Sequence, residues 1–170
     1  MDSVLFEMLE KMRLSAKVNP NGLNRLLPEN VQVLLSLESL PKENVNHGEY
    51  RYCHGLVADT KEVAAYLGGR PSGSKLYPPG GYLQWHTNAN DVGIRVYCVY
   101  ATGDGCWFRY VNKNGEMVTL PDVQGWNVRA FPITRKAPLW HCVYAGSERY
   151  SFGFNCKSFS EELKQYLVQP

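Results

Sequence analysis

From Tyr82 onward the chain is cut into short segments rich in β-branched and aromatic residues: "YLQWHT", "IRVYCVYA", "CWFRYV", "EMVTL", "NVRAFPI", "LWHCVYA" and "RYSFGFN". The spacers "TGDG", "NKNG", "PDVQG" and "AGSE" are built from turn-forming residues. Connections this short join antiparallel neighbours. Seven short strands with glycine-marked turns therefore imply a sandwich or a barrel.

The first seventy residues read differently. "SVLFEMLEKM" places Val4, Leu5, Met8, Leu9 and Met12 at the spacing of one helix face. A turn at "NPNG" closes that helix. In "LNRLLPENVQVLLSLESLP", Pro28 can start a second helix and Pro41 lies past its end, although "VQVLLSL" also suits a buried strand. "DTKEVAAYLGG" predicts a third helix, with Asp59 as N-cap, Glu62 in capping-box position and Gly68 at the C-terminal end. "RPSGSKLYPPGG" breaks the pattern, and "SFSEELKQYL" returns to a short C-terminal helix with Ser158 and Glu161 in capping-box spacing. Helices first and antiparallel strands afterwards make an α+β chain, its helices supporting one sheet and leaving the other face free for a pocket.

At 170 residues the length suits one domain spanning the whole chain, helical over residues 1–70 and with a β core over 75–156. A net charge of +2 is too small to argue for a nucleic-acid groove, although Arg109, Arg129, Arg135 and Lys136 could gather locally. Five cysteines, none in CxxC spacing, suggest neither a disulfide framework nor a zinc knuckle, and fit a reducing cytoplasm. "MDSVLFEMLEKMRLSAK" lacks the basic flank and continuous apolar run of a signal peptide. No segment approaches the roughly 18 apolar residues of a membrane span, so no membrane partner is expected.

Chemistry concentrates in "GGYLQWHTNAND". Strict alternation along a strand puts Tyr82, Gln84, His86 and Asn88 on one face and Leu83, Trp85 and Thr87 on the other. A single strand histidine is ordinarily structural, but His141 stands 55 residues later in "PLWHCVYAGSERYSFGF". Antiparallel folds can bring such strands side by side. Two strand histidines are what a non-haem Fe(II) site requires beside a carboxylate.

These segments resemble the 2-oxoglutarate- and Fe(II)-dependent dioxygenases, especially the small prolyl-4-hydroxylase-like group and the short phage and marine-bacterial versions. "KLYPPGGYLQWHTN" is similar to the Tyr and Gly-rich turn before the first metal ligand, "GIRVYCVY" to the next strand with its early Arg, and "LWHCVYAGSERYSFGF" to the second ligand strand and the basic residue after it. The resemblance implies a double-stranded β-helix, a cupin-like jelly roll, in cytoplasm or, if phage-encoded, in host cytoplasm. It implies His86 and His141 as Fe(II) ligands and Arg149 as the partner of the distal carboxylate of 2-oxoglutarate. Ser151, Tyr77 and Arg95 are further implied contacts of that cosubstrate. The implied reaction is hydroxylation of a substrate, first a peptide side chain, with release of succinate and CO2. Oxidation of a nucleobase or small molecule, and a non-catalytic binding or structural module, are the alternatives.

The sequence departs from the family at one position. The first motif is His, any residue, then Asp or Glu, whereas this chain reads His86, Thr87, Asn88. An amide oxygen can coordinate iron but brings no negative charge. Asn88 as neutral third ligand, water or an exogenous anion in that place, and Asp91 turning in from the loop are the three solutions. His47 and His54 lack companions at ligand spacing. Cys142 adjoins His141 but points to the opposite strand face, against a Cys–His nucleophile pair. Trp85, Trp107, Trp126 and Trp140 read as core rather than a base-stacking platform.

Overall fold

The computed structural model describes residues 1–19, 30–45, 50–158 and 160–168; the turn after Asn19, Pro28 and His47 fall outside them. Helix α1 (Ser3–Ser15) forms on the expected stripe, burying Leu5, Leu9 and Met12, and Asp2 caps it by accepting from the Val4 N–H. Strand β1 (Lys17–Val18) follows. The expected second helix shrinks to one turn, α2 (Val31–Leu34), capped by Asn30, and a 3-10 turn, Leu37–Ser39. Strands β2 (Arg51–Tyr52) and β3 (His54–Val57) precede α3 (Lys61–Tyr66). Thr60 rather than Asp59 occupies its cap position, while Asp59 accepts from the Lys61 N–H. The first seventy residues thus hold strands as well as helices.

The stretch read as a break is in fact strand β4 (Gly69–Tyr77), which pairs with β3 and β11. Pro71 and two glycines hid it. Pro71 has no N–H to give a ladder, and it sits where the pairing with β11 shifts register between Gly153 and Phe154. The remaining strands lie where the sequence placed them: β5 (Gly81–His86), β6 (Gly93–Ala101), β7 (Trp107–Val111), β8 (Met117–Pro121), β9 (Gly125–Ile133), β10 (His141–Ala145) and β11 (Arg149–Cys156). The C-terminal segment Glu161–Tyr166 is a 3-10 helix behind Ser160, not an α-helix behind Ser158.

Two antiparallel sheets result, ordered β1-β3-β4-β11-β6-β9 and β2-β5-β10-β7-β8. From β4 onward the chain changes sheet at every strand except between β7 and β8, and the last two strands return between earlier ones. That is the double-stranded β-helix, a cupin-like jelly roll. Helices α1 and α3 lie on the outer face of the larger sheet, where Leu5, Leu9 and Val63 pack with Cys98, Phe152 and Phe154. Leu35, held against Tyr82, Trp85 and Cys142, covers the outer face of the smaller sheet. The pocket lies between the sheets, among Tyr77, Leu83, Phe108 and Val143, on the face of the larger sheet that the helices leave free.

Candidate metal and anion site

His86 ends β5 and His141 begins β10, and the two are direct partners in the ladder. Their ring centroids are 4.0 Å apart with planes inclined at 52°. A β-bulge aims them. Between His86 and Leu83, strand β5 spends three residues where β10 spends two, from His141 to Val143. The extra residue reverses the alternation, so Leu83 and His86 line the cavity while Tyr82 and Trp85 turn outward against Leu35. The expected shared face of Tyr82, Gln84 and His86 is therefore broken; Gln84 Oε1 instead accepts from the Tyr50 N–H at 3.0 Å.

Each imidazole is oriented by a backbone carbonyl two residues earlier: His86 Nδ1 lies 2.8 Å from Gln84 O, and His141 Nδ1 lies 2.9 Å from Leu139 O. A carbonyl only accepts, so Nδ1 carries the proton and Nε2 presents its lone pair, the tautomer a metal takes. Burial pushes the His141 imidazole down to about 4; the bond to Leu139 O opposes this, and Arg95 and Lys75 add to it. His141 is thus a neutral base at ordinary pH.

Asn88 also faces His141. Its Nδ2 donates to Tyr97 Oη at 2.9 Å and stands 3.5 Å from His141 Nε2, and the Tyr97 hydroxyl lies 3.1 Å from the same nitrogen. The proton order follows from the lone pair on Nε2: the amide donates to Tyr97, and Tyr97 donates to His141. Rotated by half a turn, the amide presents Oδ1 in place of Nδ2. Burial pushes the Tyr97 phenol up to about 12, so it stays protonated and donates. Asp91 does not turn in: its carboxylate is held by Arg70, by Arg95 at 3.0 Å and by Asn155 Nδ2 at 2.6 Å. Among the described residues no group of three His, Cys, Asp or Glu could hold a metal; the polar groups that face one another here are two imidazoles, the Asn88 amide and the Tyr97 hydroxyl.

Arg149, at the start of β11, is 0% exposed. Its Nε donates to Asp122 Oδ2 at 2.8 Å, and the same carboxylate takes Arg129. Both terminal nitrogens of Arg149 are buried without a hydrogen-bond partner among the described residues. The Tyr77 ring centroid lies 5.5 Å from the guanidinium carbon, and Arg149, Ser151, Tyr77 and Arg95 all line one cavity with His86, Asn88 and His141. Every residue that the family resemblance implied thus lies on that cavity, though Arg95 is already engaged by Asp91.

Three residues on or behind the cavity wall escaped the sequence. Asp122 sat in a turn, "PDVQG", where an acid needs no special reason. Lys75 sat in the unrecognised β4. Tyr97 left a usable signal, being two residues from Arg95 on one strand and so on the same face. Two of the basic residues that could gather are individually engaged: Arg129 pairs with Asp122, and Arg109 lies over Trp107 and donates to Leu35 O. Cys142 packs outward with Tyr82 and Trp85, away from the cavity that His141 lines.

No family model matches this chain, and no curated protein does. Solved structures resemble it at low similarity. A Pseudomonas putida prolyl-4-hydroxylase is 24% identical over 55% of this chain and 55% of its own, with a TM-score of 0.36. A point mutant of Bacillus subtilis oxalate decarboxylase is 15% identical over 87% of this chain and 31% of its own, at 0.39. A cupin domain from Bordetella pertussis is 16% identical over 69% of this chain and 100% of its own, at 0.33. The chain therefore spans less than two thirds of the first two. What identifies the jelly roll is the strand order itself.

Proposed function

We propose that this chain is a mononuclear Fe(II)- and 2-oxoglutarate-dependent oxygenase. The observation that carries the reading is Arg149: a fully buried guanidinium, fixed through Nε by Asp122, whose two terminal nitrogens lack partners among the described residues, on a cavity that also contains the facing His86 and His141. Leaving two charged donors unsatisfied in a protein interior costs several kcal/mol, roughly 1–3 for each group or more. A carboxylate fits their planar fork.

His86, His141 and the Asn88 amide would hold the metal, and Arg149 with Ser151 would hold the distal carboxylate of 2-oxoglutarate. Fe(II), when bound, supplies oxygen activation coupled to decarboxylation of 2-oxoglutarate to succinate and CO2, with oxidation of a substrate C–H bond. The protein's own groups orient and shield. The carbonyls of Gln84 and Leu139 hold the imidazole tautomers, Asp122 holds the guanidinium plane, and Phe108 and Val143 wall the cavity. A peptide side chain is the substrate class carried over from the sequence resemblance to prolyl hydroxylases. Asn88, which brings no charge, favours a second reading: an anion-binding module of the same fold without turnover.

Anaerobic Fe(II) and 2-oxoglutarate together should give a weak visible absorption band, and admission of oxygen should then yield succinate. Binding of both without succinate, under any substrate supplied, selects the module. Absence of 2-oxoglutarate binding defeats both. Arg149→Gln should weaken 2-oxoglutarate binding about tenfold or more, and Asn88→Asp should tighten iron.

A further inference from the structure

The charged groups lining the cavity are all cations, Lys75, Arg95 and Arg149, and among the described residues no carboxylate reaches its wall. Two acids stand behind it, each shared. Asp122 answers both Arg149 and Arg129, and Asp91 answers both Arg95 and Arg70. One carboxylate between two guanidiniums leaves each cluster one charge positive. Lys75 makes no ion pair among the described residues, and on β4 it stands opposite Ser151, two residue pairs along from Arg149 and Tyr77 and so on the same face. Burial, with Arg51 and Arg95 nearby, lowers its ammonium pKa, with only Cys53 raising it, so it too lacks an answering acid.

Into this field a divalent ion would bring two more positive charges, and the ligands available to it, two imidazoles and an amide, bring none. We infer that the metal and a dianionic 2-oxo acid load this cavity cooperatively, and that Lys75 is the specificity-determining cation that disfavours the metal alone and anchors the dianion beside Arg149. The inference rests on the metal and cosubstrate placement proposed above. Linkage makes it reciprocal: whatever factor the dianion adds to metal affinity, the metal adds to dianion affinity. It also gives Asn88 a consequence. A carboxylate there would let the metal bind by itself, whereas the amide makes occupancy depend on the acid.

Titration of Mn(II), followed by loss of the free-ion paramagnetic resonance signal, tests this with and without saturating 2-oxoglutarate or glutarate. Glutarate carries both carboxylates but no 2-oxo group. Mn(II) affinity should rise about tenfold or more with 2-oxoglutarate, and several-fold with glutarate. Lys75→Met should tighten Mn(II) in the absence of acid and shrink both enhancements. Equal Mn(II) affinity with and without acid overturns the coupling and leaves the oxygenase reading standing. Enhancement by 2-oxoglutarate alone, with Lys75→Met indistinguishable from wild type, also overturns it, because the effect is then direct ligation rather than charge. No Mn(II) binding under any condition removes the metal centre and both proposals. The glutarate comparison needs no variant, so a misfolded Lys75→Met leaves it decisive.

Discussion

Asp122 is the residue on which the anion site depends. A free arginine side chain rotates about several bonds; bonding Nε to a buried carboxylate fixes the guanidinium plane and leaves the two outer nitrogens in the cavity wall. Burial alone would raise the Asp122 pKa, but Arg149 and Arg129 outweigh it and hold the carboxyl below the usual range. The sign of the linkage follows. As pH falls, the unfolded chain takes the proton first, at about 4, so the pairing stabilises fully above that value and is lost as pH drops through the lower folded-state pKa. Asp122→Asn should cost roughly 3–5 kcal/mol near neutral pH. In urea unfolding, the wild type should lose stability below about pH 4, whereas the variant should lose much less there. A parallel acid dependence in both would show that other carboxylates dominate.

At the scale of elements, the β5 bulge and the helices divide the labour. The bulge reverses alternation inside one strand, sending Leu83 and His86 inward and Tyr82 and Trp85 outward. A regular strand could not place both Trp85 in the outer cluster and His86 on the cavity wall while keeping Tyr82 out of it. Helix α1 works only from outside: Leu9 is fully buried against the outer face of the larger sheet and touches none of the site. Leu9→Ala should therefore cost about 2–5 kcal/mol of stability, seen as a lower urea midpoint at unchanged slope. The folded variant should bind 2-oxoglutarate as the wild type does; a changed affinity would couple the helix to the site. The turn joining β10 to β11 is tight for a physical reason. A Cβ on Gly146 would lie 2.8 Å from Gly105 Cα, so only glycine lets that turn settle on the β6–β7 connection. The spacing from His141 to Arg149 is set there.

At the scale of the whole molecule, burial rather than cross-linking holds the chain together. All five cysteines are free and buried. A thiol-reactive dye should label them slowly in the native protein and all five promptly in denaturant, and reducing agent should leave the melting temperature unchanged; rapid native labelling would mean that the sheets open. Among the described residues no helix is long and apolar enough to cross a membrane. Much of this architecture was legible in the residues. Short β-rich segments and their glycine turns specified the strands from β5 onward, the α1 stripe specified its buried face, and His86, His141 and Arg149 were visible as chemistry in search of a neighbour. These are properties of residues a few positions apart, where propensity and periodicity act. What only the tertiary structure decided were the meetings: His86 with His141 across a bulged ladder, Arg149 with Asp122, Asp91 with Arg95 and Arg70, and Lys75 on a strand disguised by proline and glycine. Such pairings depend on how two sheets close on each other, and no local pattern encodes which distant side chain will stand opposite.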